Sequence, residues 1–408
     1  MPNEKSLLII GGGVEALCGV DVAREMGLRV VVLDGNPEAP AKSPADDFIL
    51  ASVYDPEEAL TQTLVYTQHH SLHGVIALAC DATLTVSRIA GALGLSGPSL
   101  ETATLATQKH LMKERFQACG VPTPWFAEIH TIEQLREIVE SSNTPLVLKP
   151  VDNRGARGVV RISEGIDLAW ALQYSQSYST CQKVLLEEWL EGPQVSTESL
   201  MWQGRSYLCG AGDRNYSLLP KTFPFVIEDG GESPSQFSPE RDTEFNAIMQ
   251  QAADAIGLQN GTIKGDLVIT TEGIKLIEVA VRLSGGYYCT HTIPLVYGTN
   301  LLKLAIQVAL SEEPDVHSIS LHANQYQSNR FLFLEEGVVQ AIHHADEVSQ
   351  YPWVKVLEVY VQKGERISTI SDHTKRAGTV LTVGDTRDAA QSRAEQAIQE
   401  ILVEVTTS

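Results

Sequence analysis

The 408 residues are 43% hydrophobic and 20% charged, enough to bury several cores, so about two to four domains are expected. Acidic residues outnumber basic ones 51 to 30, a formal charge of −21 that excludes a nucleic-acid footprint and leaves any anionic substrate dependent on local lysine, arginine or metal. No apolar run approaches the ~20 residues that span a bilayer, and the run at 7–10 is too short for a signal segment.

Six cysteines (Cys18, Cys80, Cys119, Cys181, Cys209, Cys289) show neither a CxxC nor a metal spacing, and read as free thiols of a cytoplasmic protein. Residues 6–10 predict a strand that enters the turn Gly11-Gly12-Gly13-Val14-Glu15-Ala16, followed by a helix to about Met26 and a strand at 29–33. Residues 73–78 predict another strand and 81–93 a helix with Asp81 as its N-cap. Such units build a doubly wound parallel sheet. The turn reads GGGxxA and not GxGxxG, and Asp34 follows it closely, so tight packing is favoured over a bound dinucleotide.

The stretch 107–116 predicts a helix with an apolar face of Leu111, Met112 and Phe116, stopped by Gly120, Pro122 and Pro124; its Lys109 and Lys113 read as solvated charges. Lys149 differs, because it closes an apolar strand at 144–150 and leads into the glycine and arginine loop at 152–161. There Gly155 and Gly158 let backbone N–H groups approach phosphate oxygens, while Arg154 and Arg157 add charge-assisted bonds. Further on, Glu187, Glu188, Trp189 and Leu190 fall at a strand end whose unpaired N–H and C=O groups could meet a purine edge, with Gln194 in reach of a ribose hydroxyl. The polar segment at 214–239 reads as a long substrate loop in which Arg214 or Lys221 meets a carboxylate and Glu228 or Glu232 an amino group.

Between 265 and 286 the pattern predicts a β-hairpin turning at Thr271-Glu272-Gly273. A pairing centred on Glu272 sets Asp266 opposite Glu278 on one face, an unfavourable pair of like charges unless a divalent cation lies between them. Carboxylate oxygens suit Mg²⁺, which can carry phosphates. Arg282 follows on the same face, and the N–H groups around Ser284, Gly285 and Gly286 could hold an oxyanion. His291 is retained as a minor substrate contact.

Taken in order, these blocks resemble the ATP-grasp superfamily: Lys109 in the 108–113 helix, Leu148-Lys149-Pro150, the loop at 154–158, the segment 187–192, Asp266, and the segment 277–286. The resemblance implies an α/β (α+β) architecture: a parallel α/β domain at 1–98, a two-lobed ATP-grasp domain at 99–315 with its lid at about 122–190, and a small C-terminal α+β domain at 316–408 like that of biotin carboxylase. It implies that Lys109, Lys149, Arg154, Gly155, Arg157 and Gly158 contact ATP phosphates, and that Glu187, Glu188, Trp189, Leu190 and Gln194 hold adenine and ribose. Asp266 and Glu278 would bind Mg²⁺ (Mn²⁺ can substitute), Lys149 and Arg282 would serve catalysis, and Arg214, Glu232, Arg282, Ser284, Gly285, Gly286 and His291 the substrates. Many members carry Asn where this chain has Ala280, which points to the branch of amino-acid (dipeptide) ligases. The expected reaction joins a carboxylate and an amine, both small molecules such as amino acids, through an acyl phosphate; a homodimer is expected of the family. The alternatives are a biotin-carboxylase-like or purine-pathway enzyme using bicarbonate or a ribosyl amine, a non-catalytic nucleotide-binding protein, and an NAD(P)-dependent oxidoreductase built on the glycine turn and Asp34.

Overall fold

The structure is a computed structural model that describes residues 5–406; the start of the sequence, at 1–4, lies outside them. Near the N-terminus four parallel strands pair in the order Asp47–Leu50, Arg29–Asp34, Ser6–Ile10, Gly74–Ala77. Strand side chains alternate between faces, so Leu7, Ile9, Val30 and Val32 enter one core while Leu8, Ile10, Val31 and Leu33 enter another. Helices Pro56–Thr67 and Thr83–Leu93 cover the second face. The first is covered by Ala16–Glu25 and, from far along the chain, by Leu301–Ala309. Each fully buried aliphatic side chain contributes about 1.5–3 kcal/mol, so burial on both faces fixes these strands. At the glycine turn the Asp34 carboxylate accepts from the Gly12 N–H at 2.6 Å and the Asn36 N–H at 2.7 Å. Asp34 therefore closes its own turn, and a Cβ at Gly12 would lie 2.8 Å from that of Ala39. The expected N-cap at Asp81 is not formed: the following helix starts from Ala82 without a side-chain cap, because Asp81 turns to two arginines described below.

A second sheet of four strands, in the order Phe126–Ile129, Val184–Glu188, Leu146–Pro150, Val160–Ile162, makes up the segment expected as the lid. Helices Ile132–Ser141 and Leu168–Ser177, capped by Thr131 and Asp167, close its core over Leu135, Leu148 and Leu186. Its two connections to the rest are tied to one hairpin: the Leu276 N–H donates to Pro122 O at 2.8 Å and the Ile269 N–H to Pro193 O at 2.9 Å.

The largest sheet has eight strands in the order Gly273–Ala280, Gly261–Thr270, Gln194–Trp202, Arg205–Asn215, Gly230–Ser233, Tyr326–Leu332, Gly378–Gly384, Val354–Val359. The ladder thus runs unbroken from the acidic hairpin into the C-terminal segment. Its strand Gly230–Ser233 and the short helix Leu219–Thr222 occupy what the sequence suggests is a structureless loop at 214–239. Glycine makes that strand possible, since a Cβ at Gly230 would lie 2.3 Å from Asn329 O and one at Gly231 2.4 Å from Asp213 O. The remaining sheet joins Arg366–Ile367, Gly337–His343 and Leu402–Thr406. Among the described residues no helix is long and apolar enough to cross a membrane.

The acidic hairpin differs from expectation in one detail. Thr270 pairs with Gly273, so the turn is the two residues Thr271-Glu272, a register that alone would place Asp266 opposite Ile277. A β-bulge at Ile277 inserts one extra residue and restores the Asp266–Glu278 pair. Just before this ladder, Gly192 has φ +140° and a Cβ there would lie 2.1 Å from Ile269 O. Gly192→Ala is expected to cost on the order of 2 kcal/mol through strain and displacement of the hairpin, read as a lower urea midpoint.

Candidate active site

A cavity of about 560 Å³ opens where Asp81 of the N-terminal sheet, Lys149 of the lid, Asp266 and Glu278 of the hairpin, and Arg376 of the C-terminal segment converge. Asp266 is 6% exposed and accepts from Lys264 Nζ at 2.7 Å and Ser196 Oγ at 2.8 Å, with Arg214 Nη1 at 2.8 Å. Burial works against its ionisation, but Arg214 and Lys264 outweigh it and hold the carboxyl well below its usual range. Glu278 stands opposite with Lys109 Nζ at 3.4 Å, and its carboxyl is lowered too, with Lys109 and Lys149 overcoming burial. The donor set is two hard carboxylates facing one cavity. Asp266 and Glu278 are thus the residues that would hold a magnesium ion, which would supply positive charge for phosphate.

Lys149 Nζ lies 2.8 Å from Glu187 Oε2, and Lys113 Nζ 3.3 Å from Glu187 Oε1. Lys113 is fully buried and donates to Thr123 Oγ1 at 2.8 Å, so the solvated reading of this lysine is corrected. Burial lowers its pKa to about 8 even though Glu187 opposes the shift. Helical spacing carries the missed signal: Lys113 sits one turn after Lys109, beside the core residues Met112 and Phe116. Glu187 is correspondingly diverted from the purine edge, for its carboxylate faces two lysines. The unpaired N–H groups expected at the hinge are also partly taken. The Glu188 N–H donates to Trp125 O at 2.9 Å and that of Trp189 to Pro145 O at 2.8 Å. Leu190 and Gln194 both line the cavity.

In the glycine loop Gly155, Ala156 and Gly158 have φ of +63°, +58° and +73°, and the loop is closed by its own turns, with the Arg157 N–H donating to Arg154 O at 3.4 Å and that of Val159 to Ala156 O at 3.1 Å. Gly155 and Arg157 line the cavity, and Arg157 Nε donates to Arg154 O at 2.9 Å. Gly158 does not line it: packing requires glycine there, since a Cβ would lie 2.7 Å from Pro150 Cγ and 2.8 Å from Tyr178 Cβ. Lys109 Nζ donates to Asn153 O at 2.7 Å, and the His373 N–H of the C-terminal segment donates to Gly155 O at 3.0 Å. The loop is therefore gripped from both flanks.

On the substrate side Arg282 Nε donates to Asp81 Oδ1 at 2.7 Å and Nη1 to Leu283 O at 3.1 Å. Although burial opposes its charge, Asp81 raises its pKa well above the arginine range. Ser284, Gly285 and Gly286 line the cavity, yet two of their N–H groups are occupied. That of Ser284 donates to Glu198 Oε1 at 3.1 Å and that of Gly286 to Glu15 Oε1 at 2.8 Å. Glu232 lines the wall but is 2% exposed, held by Arg330 at 2.6 Å and by Asn215 at 3.0 Å, so its role as an amino-group ligand is corrected to one in the wall. Arg214 bridges Asp266 and Glu228, the latter at 2.8 Å, and Glu228 drops to about 2 as Arg214 and Arg376 overcome burial. Lys221 and His291 lie outside the cavity lining; His291 Nδ1 is 3.0 Å from Thr290 Oγ1 and its ring meets Tyr287 edge-on.

Three family models match the chain in order: the ATP-grasp N-terminal domain at residues 20–97, the ATP-grasp domain at 142–291, and the L-amino acid ligase C-terminal domain 2 at 330–406. The chain belongs to the ATP-grasp family. The protein is an ATP-grasp ligase, and its C-terminal match is to a domain of L-amino acid ligases. The fold is that of an L-amino acid ligase from Bacillus licheniformis, with a TM-score of 0.83 over 100% of both chains at 22% identity. Relatives include an uncharacterized protein of Sinorhizobium fredii, 25% identical over 80% of this chain and 67% of that one. Human carnosine synthase 1 is 25% identical over 76% of this chain but only 40% of its own length. Alanine–anticapsin ligase of Bacillus subtilis is 23% identical over 62% of this chain and 57% of its own length.

Glu198 is buried among these groups, and burial lifts its carboxyl from 4.5 to about 7 although the Ser284 N–H opposes this. A folded-state pKa above the unfolded one means that the stabilisation is complete below 4.5 and is lost as pH rises through 7. Glu198→Gln keeps an acceptor for the Ser284 N–H without the charge. Thermal unfolding scans are expected to show the variant gaining on wild type as pH rises from 4.5 to 7.

Proposed function

We propose that this enzyme joins the carboxylate of one amino acid to the amine of another, forming a peptide-like amide and releasing ADP and phosphate. The observation that supports this most is the Asp266–Glu278 pair on one face of a cavity that also holds Lys109, Lys149 and Arg282. The L-amino acid ligase domain, and relatives named carnosine synthase and alanine–anticapsin ligase, favour amino acids as substrates. We assign the N-terminal domain to 1–98, the ATP-grasp domain to 99–315 with its lid at about 122–190, and the C-terminal domain to 316–408.

A carboxylate is a poor electrophile, and phosphorylation makes it a good one. Its oxygen attacks the γ-phosphorus of ATP in line, the bond to the β-phosphate oxygen breaks, and ADP departs. Lys149, oriented by Glu187, and Lys109 would meet the phosphate oxygens, while the glycine loop presents its N–H groups over them. Mg²⁺ (or Mn²⁺) bound by Asp266 and Glu278 would neutralise phosphate charge. The amine lone pair then attacks the acyl carbon, and loss of phosphate and an amine proton leaves the amide. Because Glu198 and Glu15 accept from Ser284 and Gly286, the oxyanion falls to Arg282 and the Gly285 N–H. Loss of one such donor typically costs about 3 kcal/mol in the barrier.

The test is ADP release with MgATP against pools of amino acids and small carboxylates. Release that needs both a carboxylate and an amine is expected; release driven by bicarbonate, or none with any pool, overturns the reading. Glu278→Ala is expected to abolish turnover with an unchanged circular-dichroism spectrum, and retained magnesium-dependent turnover would remove Glu278 from the site. Lys149→Ala is expected to weaken ATP binding by about tenfold or more, measured by calorimetry.

A further inference from the structure

Asp81 stands at the end of the strand Gly74–Ala77, on the wall that the N-terminal domain turns towards the cavity. Its two oxygens face different arginines. Oδ1 accepts from Arg282 Nε at 2.7 Å, and Oδ2 lies 3.4 Å from Arg154 Nε. Arg154 belongs to the glycine loop, and its guanidinium also lies 3.9 Å from the centre of the Tyr54 ring, a second contact with the N-terminal domain. The helix that follows takes Ala82 as its N-cap, so Asp81 stands one residue ahead of the capping position and its carboxylate is left to the arginines.

We propose that Asp81 is a positioning residue shared by two arginines, setting the orientation of Arg282 while docking the Arg154 loop against the N-terminal domain. For Arg282 the geometry is specific. Asp81 takes Nε and the Leu283 carbonyl takes one N–H of Nη1, so the donors left for an oxyanion in the cavity are on the Nη nitrogens. For Arg154 the same carboxylate and the Tyr54 ring form a seat for the loop. A loop seated there and an Arg282 aimed for reaction share one carboxylate, so closure over the nucleotide and readiness for amine attack are linked through Asp81. The role assigned to Arg282 rests on the ligase reading above; the docking of the loop does not.

The experiment uses the full chain and two readouts. Amide hydrogen exchange over residues 152–158, with and without MgATP, reports loop docking in the absence of turnover. Steady-state kinetics with the substrate pair found in the ADP-release screen reports Arg282. In Asp81→Asn, exchange of the loop is expected to rise, and kcat to fall about tenfold or more with amino-acid KM values changed by less than about threefold. Arg154→Ala is expected to free the loop as well, and the double variant Asp81→Asn/Arg154→Ala to free it no further than Arg154→Ala alone, since both remove one contact. Tyr54→Leu, at an exposed position, supplies the docking test should Asp81→Asn not fold, with raised loop exchange expected. Wild-type loop exchange in a folded Asp81→Asn protein, or in Tyr54→Leu when the first variant cannot be made, overturns the docking. Unchanged kcat in Asp81→Asn overturns the link to Arg282. If the wild-type protein makes no amide from any pool, the ligase reading fails separately, and the exchange arm still decides the fate of Asp81.

Discussion

A carboxylate taken out of water is costly unless a cation or several N–H groups meet it, and this cavity has such carboxylates on every side. Asp266 is met by Lys264 and Arg214, Glu187 by Lys113 and Lys149, Asp81 by Arg282, and Glu228 by Arg214 and Arg376. In several of these groups the partners come from different parts of the chain: Lys113 lies in the helix before the lid, Arg282 beyond the acidic hairpin, and Arg376 near the C-terminus. Charge pairing is therefore what registers the segments against one another around the nucleotide site. It also explains how a chain with a net charge of −21 can present a surface fit for phosphate, since the basic residues are gathered where the acids hold them.

The sequence made the acidic hairpin legible because alternation and turn residues are local signals. The pair Asp266–Glu278 emerges correctly, although from a turn one residue too long, an error offset by the unforeseen bulge at Ile277. What stayed hidden was set by partners distant in sequence. A lysine on a helix with mixed charge reads as solvated, and for Lys113 only its spacing beside Met112 and Phe116 hints otherwise; its fit to Glu187 decides the matter. Asp81 reads along the chain as a helix N-cap, but Ala82 takes that position and Asp81 pairs with a residue 201 positions away. The N–H groups of Glu188, Ser284 and Gly286 look free along the chain, yet Trp125, Glu198 and Glu15 accept them. Residue types at the site could thus be read in advance, while the division of their hydrogen bonds could not.

The C-terminal segment illustrates the same limit at the scale of the fold. A small α+β domain, it also continues the largest sheet through the strands Tyr326–Leu332, Gly378–Gly384 and Val354–Val359. It then sends His373 and Arg376 back to the glycine loop and to Glu228. His373 is kept neutral by burial and by Arg376, with its pKa lowered to about 3, which leaves Nε2 free to accept from the Glu228 N–H at 3.3 Å. The tail of the chain is in this sense a wall of the cavity.

The lid strands pair with one another and, at one place, with the segment beyond them, where Val160 bridges Phe225 and the Arg161 N–H donates to Pro224 O at 2.9 Å; the carbonyls of Pro122 and Pro193, at its two connections, are anchored to opposite strands of the acidic hairpin. A body that swings about points on the hairpin holds a nearly constant radius from it. A swing of the lid about those two points would therefore alter its angle to the acids more than its distance from them, like a gate on two hinge pins, with the Val160–Phe225 bridge as the latch that has to part.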